Sequence, residues 1–118
     1  VRYTRAGHNP PVLIKSNGEV FVSEEGGFPV GWDFPRDDQN IEIKAHQGDR
    51  IFMFSDGITE AIDKKDNLFT RERLVDILRE TRHLSLDESL DAVIDGVRDF
   101  TGSSHFEDDV SIIGLAWK

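Results

Sequence analysis

The residues best equipped for chemistry are acidic, and they follow or precede apolar runs. Asp56 comes directly after Ile51-Phe52-Met53-Phe54, an uninterrupted apolar stretch. Glu107-Asp108-Asp109 stands directly before Val110-Ser111-Ile112-Ile113-Gly114-Leu115-Ala116. A carboxylate at the margin of a buried strand is costly unless a cation, a metal or hydrogen-bond donors compensate it. Taken singly, each acidic segment is ordinary turn chemistry. Taken together they form a constellation. If the two apolar runs pair antiparallel, the end of the first lies beside the start of the second. Asp56 and Asp108 then meet at one sheet edge. Like charges held close need neutralising, and hard carboxylate oxygens suit Mg²⁺ or Mn²⁺.

Competing sites are poorer. Asp63-Lys64-Lys65-Asp66-Asn67 begins like a calcium loop, but Leu68 replaces the glycine of position six and Leu74 the glutamate of position twelve. Ser55 lacks the glycine two residues earlier that a nucleophile elbow needs, since Met53 stands there. His8, His46, His83 and His105 show no paired metal spacing. His46 and His83 read as surface residues, His8 as part of a rigid turn and His105 as a loop residue. Trp32 and Trp117 read as core fillers.

The elements that must position the acidic pair are legible in outline. Val12-Leu13-Ile14 and Val20-Phe21-Val22 flank Ser16-Asn17-Gly18-Glu19, and Asn-Gly predicts a hairpin with a type I′ turn. Residues 24–31 carry too much Gly and Pro for regular structure and read as a loop or flap. Ile41-Glu42-Ile43-Lys44-Ala45 alternates as a half-buried strand does, whereas residues 51–54 read as a strand buried on both faces. Two amphipathic helices follow. Thr70 is expected to cap the first, with a Phe69–Leu74 staple and a Leu74, Ile77, Leu78 stripe. Ser85 and Glu88 have capping-box spacing for the second, whose apolar face is Leu86, Leu90, Val93, Ile94 and Val97 and whose stop lies near Gly102. Gly96 inside it costs about 1 kcal/mol relative to Ala, so that helix must be held by packing. The expected fold is α+β: a mainly antiparallel sheet packed against two amphipathic helices.

The 118 residues suffice for one domain and are too few for two. The net charge of −9 argues against nucleic acid and against anionic membranes as partners. No apolar run approaches the ~20 residues needed to span a bilayer, and no secretory signal opens the chain. Without cysteine there are no disulfides or thiolate metal sites, which permits a reducing cytoplasm, the expected location.

One ordered set of segments resembles a known family. Ala6-Gly7-His8-Asn9-Pro10-Pro11, Gly27-Phe28-Pro29-Val30-Gly31, Gly48-Asp49-Arg50, Phe54-Ser55-Asp56-Gly57-Ile58-Thr59-Glu60-Ala61 and Asp108-Asp109-Val110-Ser111 occur in the order of the SpoIIE/RsbU-type PP2C-like (PPM) metal-dependent serine/threonine phosphatases. The resemblance covers essentially the whole chain. It implies the carboxy-terminal half of an αββα sandwich, with Asp56 and Asp108 as metal ligands and catalytic positions, and Asp109 and Gly57 in support. It implies two Mg²⁺ or Mn²⁺ ions that activate a water for in-line attack on phosphorus, without a phosphoenzyme. The implied substrates are phosphoserine or phosphothreonine proteins, commonly anti-sigma-factor antagonists of bacterial partner-switching. Further acidic ligands of the family, in Gly-Gly-Asp and Asp-x-Ser-Gly-His-Gly segments, do not occur here. Residues 1–118 are therefore expected to be a partial domain, inactive or nearly so alone. Its exposed sheet edges and an exposed apolar helix face would favour self-association or a partner supplying the absent half. The rival from another class is a non-catalytic module that keeps the fold to bind a regulatory protein.

Overall fold

The computed structural model describes residues 1–5, 7–24 and 40–118. The expected flap at residues 24–31 and Trp32 fall, but for Glu24, outside the described residues. Among the described residues six strands and three helices follow in the order β1 (Arg2–Thr4), β2 (Val12–Ile14), β3 (Val20–Val22), β4 (Asn40–Glu42), β5 (Arg50–Phe54), α1 (Asp56–Thr59), α2 (Thr70–Glu80), α3 (Leu86–Thr101) and β6 (Ile112–Ala116). The fold is α+β with antiparallel sheets, as the sequence implies. Four strands pair in the order β3-β2-β5-β6, and β1 pairs with β4 in a separate ribbon. β5 and β6 run antiparallel, with Phe52 opposite Gly114 and Phe54 opposite Ile112. That pairing is the one required to bring the two acidic segments to the same end.

Alternation sorts the side chains of the larger sheet onto two faces. On one face Val12, Ile14, Phe52 and Phe54 pack with Leu74, Leu78, Val93 and Val97 of α2 and α3. On the other, Leu13 and Ile51 pack with Ile41, Ile43, Tyr3 and Trp117. The ribbon covers only part of this second face. Met53, Leu115 and Ile113 are 37%, 48% and 56% exposed there. The run at 51–54 is thus not buried on both faces, because Met53 points to the uncovered part. The exposed apolar surface lies on the sheet, in place of the helix face that was expected. The apolar stripes of α2 and α3 are spent on the core.

Local details follow familiar chemistry with two corrections. Ser85 and Glu88 close both halves of the capping box of α3, and Gly102 ends that helix in the left-handed region at φ 70°. Thr70 is not the cap of α2. α2 begins at Thr70 itself, whose φ of 74° lies outside the helical region, and the preceding Phe69 makes no side-chain cap. The Glu72 carboxylate accepts from its own backbone N–H and bonds the Thr70 side chain in this first turn. The hairpin forms, but its turn is not type I′. Gly18 N–H donates to Lys15 O, Lys15 N–H to Glu19 O, and Gly18 takes φ 92° while Asn17 stays at negative φ. A three-residue loop with glycine in the left-handed position satisfies the same strand twist. Ser89, fully buried, donates its hydroxyl to Thr81 O and accepts from Arg50 Nη1, tying α3 to the α2–α3 turn and to β5. Among the described residues no helix is long and apolar enough to cross a membrane.

Candidate functional site

The β5–β6 ladder continues past its last strand pair. Ser55 N–H donates to Ser111 O at 2.9 Å, and Ser111 N–H donates to Ser55 Oγ at 2.9 Å. The Ser55 hydroxyl in turn donates to Asp109 O at 3.0 Å. Two residues further, Gly57 packs on the same carbonyl: a Cβ built there would lie 2.2 Å from Asp109 O. Ser55-Asp56-Gly57 and Asp108-Asp109 are therefore held together at one end of the sheet. Only a residue without a side chain allows this close approach. The Ser55 hydroxyl is committed to this junction, consistent with rejecting it as a nucleophile.

Asp56 opens α1, and its side chain is exposed to solvent. On the far side of β5, the β2–β5 register sets Val12 opposite Phe52, so the residues before β2 run beside those after β5. Asn9 arrives there and donates from Nδ2 to Asp56 Oδ1 at 2.5 Å. Asp108 is also exposed, and its Oδ1 accepts from Asp109 N–H at 2.8 Å. A cavity of about 370 Å³ opens beside the junction, with Gly57, Glu60 and Asp108 on its wall and Ile62, Phe106 and His105 among its other lining residues.

Asp56 and Asp108 are both exposed at this end of the sheet, and their carboxylate oxygens are of the hard type that Mg²⁺ and Mn²⁺ take. Among the described residues no group of three or more His, Asp or Glu converges to complete one. The Asp63 loop is closed on itself. Asp63 accepts from the backbone N–H of Lys65 and Asn67 and from Asn67 Nδ2, and the hydrogen bonds from Asn67 hold its carboxyl below the ordinary range. Its oxygens are engaged within the turn. His46 lies on the surface, 3.7 Å from Asp49. His8 places Nδ1 3.0 Å from Asn9 O within its turn, and His105 sits in the exposed loop before Phe106.

Sequence reasoning missed Asn9 and Ser55 as parts of the site. Counting the β2–β5 pairing back from the hairpin would have placed Asn9 beside Asp56. Both stand in segments that carry the family resemblance, but nothing in those segments shows what either side chain bonds.

This chain belongs to the SpoIIE family: the model of that family, Stage II sporulation protein E, matches residues 1–118. Its fold is that of part of a PP2C-type phosphatase domain. The SiaA PP2C domain of Pseudomonas aeruginosa superposes with a TM-score of 0.76 at 21% identity, over 93% of this chain and 44% of that one. The RsbU and RsbW domains of Rv1364c from Mycobacterium tuberculosis give 0.71 at 21% identity, over 98% of this chain and 31% of that one. The phosphatase domain of the cell fate determinant SpoIIE from Bacillus subtilis, in a crystal form without domain swapping, gives 0.68 at 22% identity, over 98% and 49%. The chain thus spans less than half the length of these structures. No curated protein sequence matches it significantly.

Proposed function

We propose that residues 1–118 form the carboxy-terminal part of a metal-dependent PP2C-like protein serine/threonine phosphatase. In the complete domain Asp56 and Asp108 hold Mg²⁺ or Mn²⁺, with Gly57 and Asp109 shaping the junction between them. The observation that carries this reading is the packing of Gly57 on the Asp109 carbonyl, which locks the two acidic segments together. Divalent ions bound there would polarise phosphoryl oxygens and supply a nucleophilic water. The chain's own contribution is two carboxylates on a rigid sheet end, with a cavity beside Asp108 open to substrate. The proposed substrates are phosphoserine or phosphothreonine proteins, anti-sigma-factor antagonists among them. The reading is supported by membership of the SpoIIE family and by likeness to a chain that carries RsbU and RsbW domains. It includes a cytoplasmic setting and self-association of the isolated chain through an exposed sheet edge.

The test is hydrolysis of p-nitrophenyl phosphate and of a phosphoserine peptide with Mn²⁺ or with EDTA. It is run on this chain and on the full-length protein that contains it. Mn²⁺-dependent turnover by the full-length protein, lost in Asp56→Asn and Asp108→Asn, is the expected result. No turnover there would replace the enzyme reading with the interaction module.

A further inference from the structure

Asn9 reaches Asp56 across 47 positions of sequence, and a carboxylate can only accept, so the side-chain amide must be the donor. Its own backbone is well anchored. Arg5 Nη1 donates to His8 O at 2.9 Å, and the next two residues are buried prolines, whose φ is fixed by their rings. Among the described residues no other side chain or backbone N–H is hydrogen-bonded to the Asp56 carboxylate. We infer that Asn9 is a positioning residue: its amide pins Oδ1 of Asp56 and so presents the remaining oxygen to a divalent cation. This rests on the proposal that Asp56 is a metal ligand. The residue type suits the task. A neutral amide orients the carboxylate without adding a charge that would repel it, as Asp would, or neutralise it, as Lys would. Partners behind a ligand set its orientation, and losing one costs about 10–100-fold in metal affinity.

The experiment uses the full-length protein and Mn²⁺ alone as probe, read from the loss of the free-Mn²⁺ electron paramagnetic resonance signal. Asn9→Ala and Asn9→Ser are compared with the parent and with Asp56→Asn, and melting is recorded in EDTA. Expected are metal-free melting close to the parent's and a dissociation constant raised about 10-fold in both Asn9 variants. Turnover should fall at limiting Mn²⁺ and recover at saturating Mn²⁺, a rescue that a purely structural residue would not show. Unchanged Mn²⁺ affinity in both variants, with binding lost in Asp56→Asn, overturns the role of Asn9 alone. Unchanged affinity in Asp56→Asn overturns the metal-ligand reading beneath it. Failure of both Asn9 variants to fold overturns the inference in favour of a purely structural tie.

Discussion

Gly57 lies so close to Asp109 that a Cβ on Gly57 would sit 2.2 Å from the Asp109 carbonyl oxygen and 2.9 Å from its carbon. Both atoms are backbone, and the Ser55 hydroxyl also holds that carbonyl, so neither can yield cheaply. Gly57→Ala sets two effects against each other. Alanine gains about 1 kcal/mol of helix propensity over glycine, whereas overpacking costs about 1–3 kcal/mol. The short α1 gives propensity little scope, so the clash wins. Urea denaturation should show a net loss of stability. On the proposed metal-ligand roles of Asp56 and Asp108, Mn²⁺ titration of the full-length variant should show weaker binding, because the Asp108 segment is pushed from Asp56.

Ser55→Ala removes the one group that both donates to Asp109 O and accepts from Ser111 N–H. The site is only partly buried, so water can replace some of what is lost, and about 1 kcal/mol is the expected cost. Hydrogen exchange reports the place as well as the size. The Ser111 amide should exchange faster in the variant while amides within β2 and β3 keep their protection.

What could be read from the sequence was whatever depends on near neighbours. The capping box at Ser85 and Glu88, the stop at Gly102 and the hairpin at Asn17-Gly18 each involve residues within four positions, and each forms. The junction of Ser55, Gly57 and Asp109 could be anticipated only by assuming how two distant strands pair. The tie from Asn9 was not legible because its partner lies 47 residues away and an Asn before two prolines reads as a turn. Met53 was misjudged for a different reason. An apolar residue in an apolar run gives no sign that the layer above its face is missing, and only the ribbon's limited reach leaves it exposed. The turn type failed because Asn17 and Gly18 suit two loop geometries, and the choice between them rests on strand register.

Asp49 gives a pH prediction. Its side chain is almost fully buried; burial by itself raises the carboxyl pKa. The backbone N–H groups of His46 and Ser16, donating at 2.8 and 3.0 Å, outweigh that, aided by the charges of His46 and Lys15, and leave it below its ordinary value. A carboxyl with a lowered folded-state pKa stabilises the fold above the unfolded-state value of about 3.9, and loses that contribution as pH falls through the folded-state value. Asp49→Asn keeps the shape but turns a donor toward one of the two N–H groups. It should cost about 1–3 kcal/mol at pH 7. The gap between parent and variant in urea denaturation should stay constant down to about pH 5 and close below about pH 4. A gap that widened on acidification would contradict the assigned cause.

Gly96 and Ile77 give the last prediction, which is one of coupling. Within α3 a glycine costs about 1 kcal/mol relative to alanine, so an exposed Gly96→Ala would stabilise. Here a Cβ would lie 2.7 Å from Ile77 Cδ1 of α2. That atom is the end of a side chain and can move, but only by leaving its packed position between the helices, so propensity and crowding nearly cancel in the single variant. Ile77→Val deletes the offending methyl and by itself costs about 0.5–1.5 kcal/mol. In the double variant the new Cβ fills the space the methyl vacated and the propensity gain is realised. Gly96→Ala should therefore be close to neutral in the parent and stabilising by about 1 kcal/mol in the Ile77→Val background. A double-mutant cycle from urea denaturation measures this difference. A cycle that closed additively would mean that the α2–α3 spacing adjusts freely and that Gly96 is not there for close packing.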